Sequence, residues 1–131
     1  IPADIEILRS LGMDIVEVAR VDKAVMQESF VSRVFTPAEI AYCRGRGRQA
    51  GQSFAARFAG KEAVLKALGT GLRGGSLTEI EILPDDLGCP QVALTGFFAE
   101  YAQKKGVKRV WMSLTHTKEY AAAQCVMEAE G

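Results

Sequence analysis

The 131-residue sequence has little of what several common protein classes require. It contains three cysteines without a C-x-x-C spacing and one histidine, a set that cannot complete an ordinary zinc site. The odd cysteine count favours free thiols in a reducing compartment. All apolar runs are shorter than the roughly 18 residues that a membrane-spanning helix needs, and no signal-peptide pattern opens the sequence. We therefore expect a cytoplasmic protein that binds no membrane.

An excess of charge of one sign is also absent. Sixteen Lys and Arg residues balance sixteen Asp and Glu residues, so no overall field directs the chain to nucleic acid or to anionic lipid. Positive charge is concentrated locally in the segment CRGRGRQ, where Arg44, Arg46 and Arg48 alternate with glycines. A small nucleic-acid-binding domain that uses this segment is one hypothesis. The balanced charge and the lack of interleaved aromatic residues count against it, and we expect no nucleic-acid partner.

Length and the lack of repeats or linkers predict a single domain over residues 1–131. Thr36, Pro37 and Glu39 have the spacing of a capping box with proline in the first helical position, which predicts a helix start. The expected elements, in order, are a strand within 4–16 that ends between Gly12 and Ile15, helices over 20–35, 37–43 and 51–68, strands over 76–84 and 91–95, a helix over 96–106, and strands over 107–117 and 119–130. This order is typical of an α+β fold with a mostly antiparallel sheet.

The long helix over 51–68 carries charged residues on its apolar stripe. At about 100° per residue, that narrow stripe is formed by Phe54, Phe58, Leu65 and Leu68. Lys61 falls in the middle of the stripe, Glu62 lies at its edge, and Lys66 follows Glu62 by one turn. One interpretation is a solvated face, on which the lysine stems cover apolar surface and Glu62 pairs with Lys66. The other is a cleft, because a charge within an apolar stripe is costly unless it is paired.

Asp14 favours the cleft. It ends an apolar strand directly after Gly12 and Met13, where a carboxylate gains nothing from packing. Together Asp14 and Glu62 supply half of a ligand shell suited to Mg²⁺, an ion that prefers hard oxygen ligands and keeps waters that substrate phosphates can replace. The remaining phosphate charge would then be balanced by Arg57, Lys61 and Lys66.

His116 is the only histidine, and it shares one face of its predicted strand with Leu114. It is either a buried histidine bonded to a backbone carbonyl or the last inward residue of the strand, lining a pocket beside the hydroxyls of Thr115 and Thr117. The glycines of GTGLRGGS match neither the P-loop nor the dinucleotide-binding fingerprint. That loop alone therefore does not indicate a phosphate site.

Three motifs together resemble the holo-acyl-carrier-protein synthase family, the short type of 4′-phosphopantetheinyl transferase. GMDIVEVARV (12–21) resembles the family's G-x-D strand and first helix, RFAGKEAVLKALGTG (57–71) its F-x-x-K-E-A-x-x-K helix and G-T-G, and VWMSLTHTKEYAAA (110–123) its S-h-[ST]-H-[ST] strand. The likeness extends over about residues 8–128. Ser10 and Gly60 depart from the glycine and alanine that the family usually has there, and Gly60 costs up to ~1 kcal/mol of helix propensity.

The resemblance implies transfer of the 4′-phosphopantetheine group of coenzyme A to a serine of apo acyl carrier protein, with release of 3′,5′-ADP, in support of fatty-acid biosynthesis. Asp14 and Glu62 would hold Mg²⁺ against the pyrophosphate of coenzyme A. Glu62 or a metal-bound water would take the serine proton, and Lys66 would orient Glu62 or contact phosphate. The residues that it implies for coenzyme A binding are Arg46, Arg48, Arg57, Thr70, Gly71, His116 and Thr117.

The resemblance also implies a 4′-phosphopantetheinyl transferase-like fold and a cyclic homotrimer with each site between neighbouring subunits. Asp14 and Glu62 would come from one subunit, and the 69–71 loop and His116 from the next. Arg20 and its helix face would meet the acidic carrier protein, and the role of Lys61 is left open. The alternative is a non-catalytic module on the same fold that binds coenzyme A or a carrier protein. Retention of both carboxylates and of Lys66 argues against that module.

Overall fold

The computed structural model describes the backbone of residues 6–130 and the side chains of residues 9–129. Within this range the strands are β1 (Glu6–Glu17), β2 (Ile80–Pro84), β3 (Pro90–Leu94), β4 (Val107–His116) and β5 (Tyr120–Glu130). The helices are α1 (Val18–Ala24), α2 (Glu28–Val34), α3 (Pro37–Arg44), α4 (Ala50–Leu68) and α5 (Gly96–Lys104). The predicted α+β class is confirmed. None of these helices combines the length and the apolarity needed to cross a membrane.

The strands form two antiparallel sheets, which confirms the predicted strand direction. A three-stranded sheet has the order β1-β5-β4, and β2 pairs with β3 in a hairpin. The register sets Asp14 opposite Ala123 and His116 opposite Ala121. Since side chains alternate along a strand, one face of β5 is buried along its length, through Ala121, Ala123, Cys125, Met127 and Ala129. Asp14 and His116 therefore stand on the two outer strands, with β5 between them.

Helix α4 packs on this buried face and is the central element of the core. It contacts β1 at backbone distance, because a Cβ added at Gly12 would lie 2.1 Å from the carbonyl oxygen of Ala63. The helix ends as predicted at Gly69, which adopts the left-handed conformation with φ 76°. The close approach at Gly12 holds Asp14, two residues further on the same face of β1, against the side of α4.

The prediction of a single helix over 20–35 is wrong in one respect, because this segment forms two helices. α1 follows β1 directly at Val18, and the extended backbone of Gln27 separates it from α2. If the helix were continuous, at about 100° per residue, the buried valines of α1 and those of α2 would point in directions about 140° apart around the helix axis. The break lets both pairs face the same core, Val18 and Val21 from α1 and Val31 and Val34 from α2.

Two strand boundaries also differ from the prediction by more than one residue. β1 extends to Glu17, beyond the expected end at Gly12 to Ile15, because its pairing with β5 continues to Tyr120. The strand expected over 76–84 begins only at Ile80, after a 3-10 turn (Leu77–Glu79) in which the Glu79 carboxylate accepts from the Ser76 amide at 3.2 Å. The capping box at the start of α3 is confirmed, with reciprocal hydrogen bonds between Thr36 and Glu39.

Candidate active site

Two carboxylates and a lysine meet where β1 crosses α4. Lys66 Nζ donates to Asp14 Oδ1 at 2.9 Å and to the Met13 carbonyl oxygen at 3.0 Å. Glu62 precedes Lys66 by one turn on the same face of α4. The Asp14 side chain is 15% exposed and that of Lys66 is 55% exposed. Lys66 thus pairs with Asp14 across the two elements, and the exposed Glu62–Lys66 pair considered above is not what forms.

The carboxylate cluster (Asp14, Glu62 and Lys66) contains two carboxylates but only one cationic side chain. Burial raises the pKa of the Glu62 carboxyl above its ordinary value, the negative charge of Asp14 raises it further, and Lys66 lowers it only in part. In the described part of the chain, no group of three or more His, Cys, Asp or Glu side chains could hold a metal. Two carboxylates with ligand positions left for water and phosphate are the donor set that suits Mg²⁺, so the residues present fit this ion.

A second cluster lies on the other side of α4. Arg57 and Lys66 project about 180° apart on the helix, and Arg57 points towards β2 and β4. There it lines a pocket of about 210 Å³ with Arg46 and His116. The other lining residues are Tyr42, Gln49, Ser53, Ala56, Pro84, Gly88, Pro90 and Leu114, so the described wall contains no carboxylate.

Arg57 is fixed in this cationic pocket by several contacts. Its side chain is buried, Nε donates to the Ile82 carbonyl oxygen at 3.1 Å, and Nη1 donates to Ser53 Oγ at 3.2 Å. Its guanidinium carbon lies 4.5 Å from the centroid of the Tyr42 ring. Arg46 Nη2 donates to Gln49 Oε1 at 3.1 Å. A preoriented arginine, a second arginine and a histidine without a carboxylate among them form a surface suited to phosphate.

The remaining residues predicted to bind coenzyme A do not line this pocket. Arg48 is exposed in the 3-10 turn (Gly47–Gln49). Thr70 and Gly71 follow the end of α4, roughly 20 Å along the helix axis from Arg57 and one turn beyond Lys66. The Thr117 hydroxyl oxygen accepts from the amides of Glu119 and Tyr120 at 3.2 and 3.1 Å and closes the β4–β5 turn. Their part in binding stays a prediction.

Lys61 belongs to neither cluster, and both interpretations given above for it are wrong. Its side chain is 0% exposed and its Nζ lies 2.8 Å from Oε1 of Glu39, which is also 0% exposed. Burial lowers the pKa of Lys61, and the Glu39 carboxylate opposes that shift. A lysine held in this way neither reaches water nor faces a substrate cleft. The expectation that Lys61 balances phosphate charge is therefore corrected, and Arg57 is separated from the carboxylates that it was expected to join.

Arg20 lies on α1 beside a third feature, a cleft of about 370 Å³. The cleft adjoins the carboxylate cluster, since its wall includes Val16, which lies two residues beyond Asp14 on the same face of β1, and Phe58, which precedes Glu62 by one helical turn. The rest of the wall is formed by Ile15, Glu17, Val21, Ala24, Phe30 and Tyr120. The arrangement offers a largely apolar groove beside the two carboxylates, with Arg20 and Glu17 as the charged residues of its wall.

Comparison with known proteins agrees with this geometry. The family model of the 4′-phosphopantetheinyl transferase superfamily matches residues 10–125. The holo-[acyl-carrier-protein] synthase of Geotalea daltonii is 47% identical over 120 residues, which cover 89% of this chain and 95% of that protein. The chain belongs to the holo-acyl-carrier-protein synthase family.

Solved structures of holo-acyl-carrier-protein synthases have the same fold. The Neisseria meningitidis protein is 31% identical with a TM-score of 0.83, and the match covers 92% of this chain and 98% of that one. The Bacillus anthracis protein, in complex with coenzyme A (3′,5′-ADP), is 34% identical with a TM-score of 0.77, over 94% of this chain and 98% of that one. The 4′-phosphopantetheinyl transferase-like fold implied by the motifs is therefore confirmed.

Part of the cationic pocket is not predictable from the sequence. Tyr42, against which Arg57 lies, carries no motif that would single it out. The β2–β3 hairpin contributes Pro84, Gly88 and Pro90 to the wall, at and beside its turn. The residues of this turn, DDLGCP (85–90), are of types that favour turns, and Gly88 has the positive φ of 87° that favours glycine. Only the folded chain shows that this turn closes over Arg57.

Proposed function

We propose that this chain transfers the 4′-phosphopantetheine group of coenzyme A to a serine of apo acyl carrier protein and so supports fatty-acid biosynthesis. The observation that carries the proposal is the combination of two juxtaposed carboxylates with a cationic pocket free of carboxylates, in a member of this family. The serine oxygen bonds to the phosphorus that bears the pantetheine arm, and the bond from that phosphorus to 3′,5′-ADP breaks. Phosphoryl transfer of this kind depends on positioning and charge stabilisation.

Asp14 and Glu62 are the residues that would hold Mg²⁺. When bound, this ion stabilises the charge that develops on the transferring phosphoryl oxygens. Glu62, whose pKa is raised by burial and by Asp14, is the candidate to accept the serine proton. Lys66 is bonded to Asp14 and Met13 and its side chain is more than half exposed, which supports a role in contacting phosphate rather than in orienting Glu62.

The nucleotide part of coenzyme A suits the cationic pocket. Arg46, Arg57 and His116 supply the donors for its phosphates, and the bonds of Arg57 to Ile82 and Ser53 hold its guanidinium in one orientation. Arg48, Thr70, Gly71 and Thr117 lie outside this pocket within one chain. We retain them as candidates for contacts with the rest of the coenzyme.

A cyclic homotrimer would join the two clusters into one site. Within a chain they lie on opposite sides of α4, so one coenzyme molecule is better served by the carboxylate cluster of one subunit and the cationic pocket of its neighbour. A heterologous interface of this kind closes into a ring. The outer face of the three-stranded sheet supports such an interface, because Leu11, Met13, Ile15 and Trp111 are each more than half exposed there. Since the 69–71 loop lies at the Lys66 end of α4, we assign it to the carboxylate half.

The acyl carrier protein is the proposed macromolecular partner. Acyl carrier proteins are acidic, and Arg20 stands at the edge of the apolar cleft that adjoins the carboxylates. This position suits a carrier protein that presents its serine to Glu62. We also propose a cytoplasmic location, which the three free cysteines support.

Mass spectrometry of the carrier protein tests the function. Apo carrier protein incubated with this chain, coenzyme A and Mg²⁺ is expected to gain the mass of one phosphopantetheine group. A carrier protein whose acceptor serine is replaced by alanine is the control and should gain nothing. Binding of coenzyme A without any mass gain would instead support the non-catalytic module, and no binding at all would contradict both hypotheses.

A further inference from the structure

The outer edge of β2 is paired with side chains instead of a strand. β3 occupies one edge of β2, and among the described residues no strand pairs with the other. On that edge the Ile82 amide donates to Glu39 Oε2 at 2.8 Å, and the Ile82 carbonyl oxygen accepts from Arg57 Nε at 3.1 Å. The Ile80 carbonyl oxygen accepts from Lys61 Nζ. Three charged side chains thus satisfy the backbone groups that a neighbouring strand would otherwise bond.

Lys61 and Glu39 form the buried part of this arrangement. Besides pairing with each other, Lys61 Nζ donates to the Leu77 carbonyl oxygen at 2.9 Å, and Glu39 Oε1 accepts from the Thr36 amide at 2.9 Å. The pair therefore connects α4, α3 and β2. A buried ion pair gives little net stability compared with well-packed apolar residues. What the pair supplies, and apolar residues cannot, is directional bonding to the backbone of β2.

The position of β2 determines two parts of the cationic pocket. Ile82 anchors the Arg57 guanidinium, and two residues later Pro84 begins the turn that contributes the Gly88 and Pro90 wall. A shift of β2 away from α4 would move the anchor of Arg57 and the wall together. Lys61 itself is fully buried and cannot touch a ligand in the pocket.

We propose that Lys61 and Glu39 are positioning residues, which hold β2 against α4 and thereby shape the pocket of Arg57, His116 and the β2–β3 turn for a nucleoside 3′,5′-bisphosphate. The inference rests on the proposed function for the identity of this ligand, the nucleotide part of coenzyme A. It assigns different roles to two neighbouring residues of one helix: Glu62 is part of the carboxylate cluster, and Lys61 positions the pocket on the other side of α4.

Binding of 3′,5′-ADP by calorimetry, together with steady-state kinetics, tests this proposal. Lys61→Met and the charge-free double variant Glu39→Gln/Lys61→Met should both weaken 3′,5′-ADP binding on the order of tenfold, and should raise KM for coenzyme A more than they lower kcat. Lys104→Met, at an exposed lysine of α5, is the matched control and should bind like wild type. Met127→Ala removes a buried side chain of β5 and should lower the melting temperature without weakening binding.

The double variant separates positioning from stability. It removes the unpaired buried carboxylate that Lys61→Met leaves, so its melting temperature should recover while its affinity for 3′,5′-ADP stays low. Wild-type affinity in the double variant would overturn the proposal, even where Lys61→Met alone does not fold. Equal loss of affinity in Met127→Ala would also overturn it. Wild-type protein that binds 3′,5′-ADP but transfers nothing would contradict the proposed function and leave the positioning role standing; wild-type protein that does not bind 3′,5′-ADP would overturn both.

Discussion

Lys61, Glu62 and Lys66 lie within six residues of one helix, yet each has a different environment. Lys61 is fully buried against Glu39, Glu62 is half-buried beside Asp14, and Lys66 is exposed and bonded to Asp14. The helical period explains the division, because adjacent residues are rotated by about 100°. A single turn of α4 therefore serves both the core and the carboxylate cluster.

At this scale we predict that Asp14→Ala and Glu62→Ala each lower kcat/KM on the order of 10²-fold or more, comparable to the loss of a key transition-state contact. The melting temperature should hardly change, since two carboxylates that repel each other add little stability. Steady-state kinetics at limiting Mg²⁺ and thermal denaturation measure both effects. Glu100→Ala, on an exposed position of α5, should behave like wild type. Wild-type turnover in either carboxylate variant would remove that residue from the mechanism.

At the scale of the secondary-structure elements, the contact between β1 and α4 determines where the carboxylate cluster forms.

The sequence predicts most of the elements, because α3, α4 and α5 each have a clear start signal or stop glycine and the final strands alternate. It does not predict the break between α1 and α2, which depends on where the core lies. Nor does it predict the partner of Lys61, because Glu39 is contributed by another helix. The same holds for the cationic pocket, since Tyr42 and the β2–β3 turn reach Arg57 only through the fold.

A side chain added at either of two glycines would meet a different kind of group, backbone in one case and side chain in the other. A Cβ at Gly12 would lie 2.1 Å from the Ala63 carbonyl oxygen, whereas a Cβ at Gly60 would meet the end of the Ile82 side chain at 2.6 Å. Gly12→Ala should therefore lose at least about 1–3 kcal/mol of unfolding free energy, and should reduce activity by displacing Asp14. Gly60→Ala gains up to ~1 kcal/mol of helix propensity, and this gain offsets the cost of local repacking around the added methyl group.

Chemical denaturation of the two glycine variants checks this contrast. We expect Gly60→Ala to remain within about 1 kcal/mol of wild type and Gly12→Ala to be clearly the less stable of the two. Equal stability of the two variants would mean that β1 and α4 are not in backbone contact at Gly12, and would weaken the argument for how Asp14 is positioned.

At the scale of the whole molecule, the apolar cleft and the cationic pocket lie on different sides of α4. The apolar cleft beside Arg20 adjoins the carboxylate cluster, and the cationic pocket lies across α4. Charge attraction to a carrier protein should therefore be separable from coenzyme binding. This separation is what allows each surface to be changed alone.

Arg20→Glu should raise KM for the carrier protein and weaken its dependence on salt, because it reverses an attractive charge at the docking edge. The affinity for coenzyme A should stay nearly intact. Lys104→Glu makes the same change of charge away from the cleft and is the control. A fall in coenzyme affinity would mean that α1 belongs to the nucleotide site instead.

Mixed trimers show whether each site combines the carboxylate cluster of one subunit with the cationic pocket of the next. Glu62→Ala and His116→Ala proteins, each weak alone, are refolded together, and their activity is compared with the mean of the two parents. We expect activity clearly above that mean, because some interfaces then carry both intact halves. Activity that stays at the parental mean in trimers shown to be mixed, or a monomer by sedimentation at assay concentration, would contradict it.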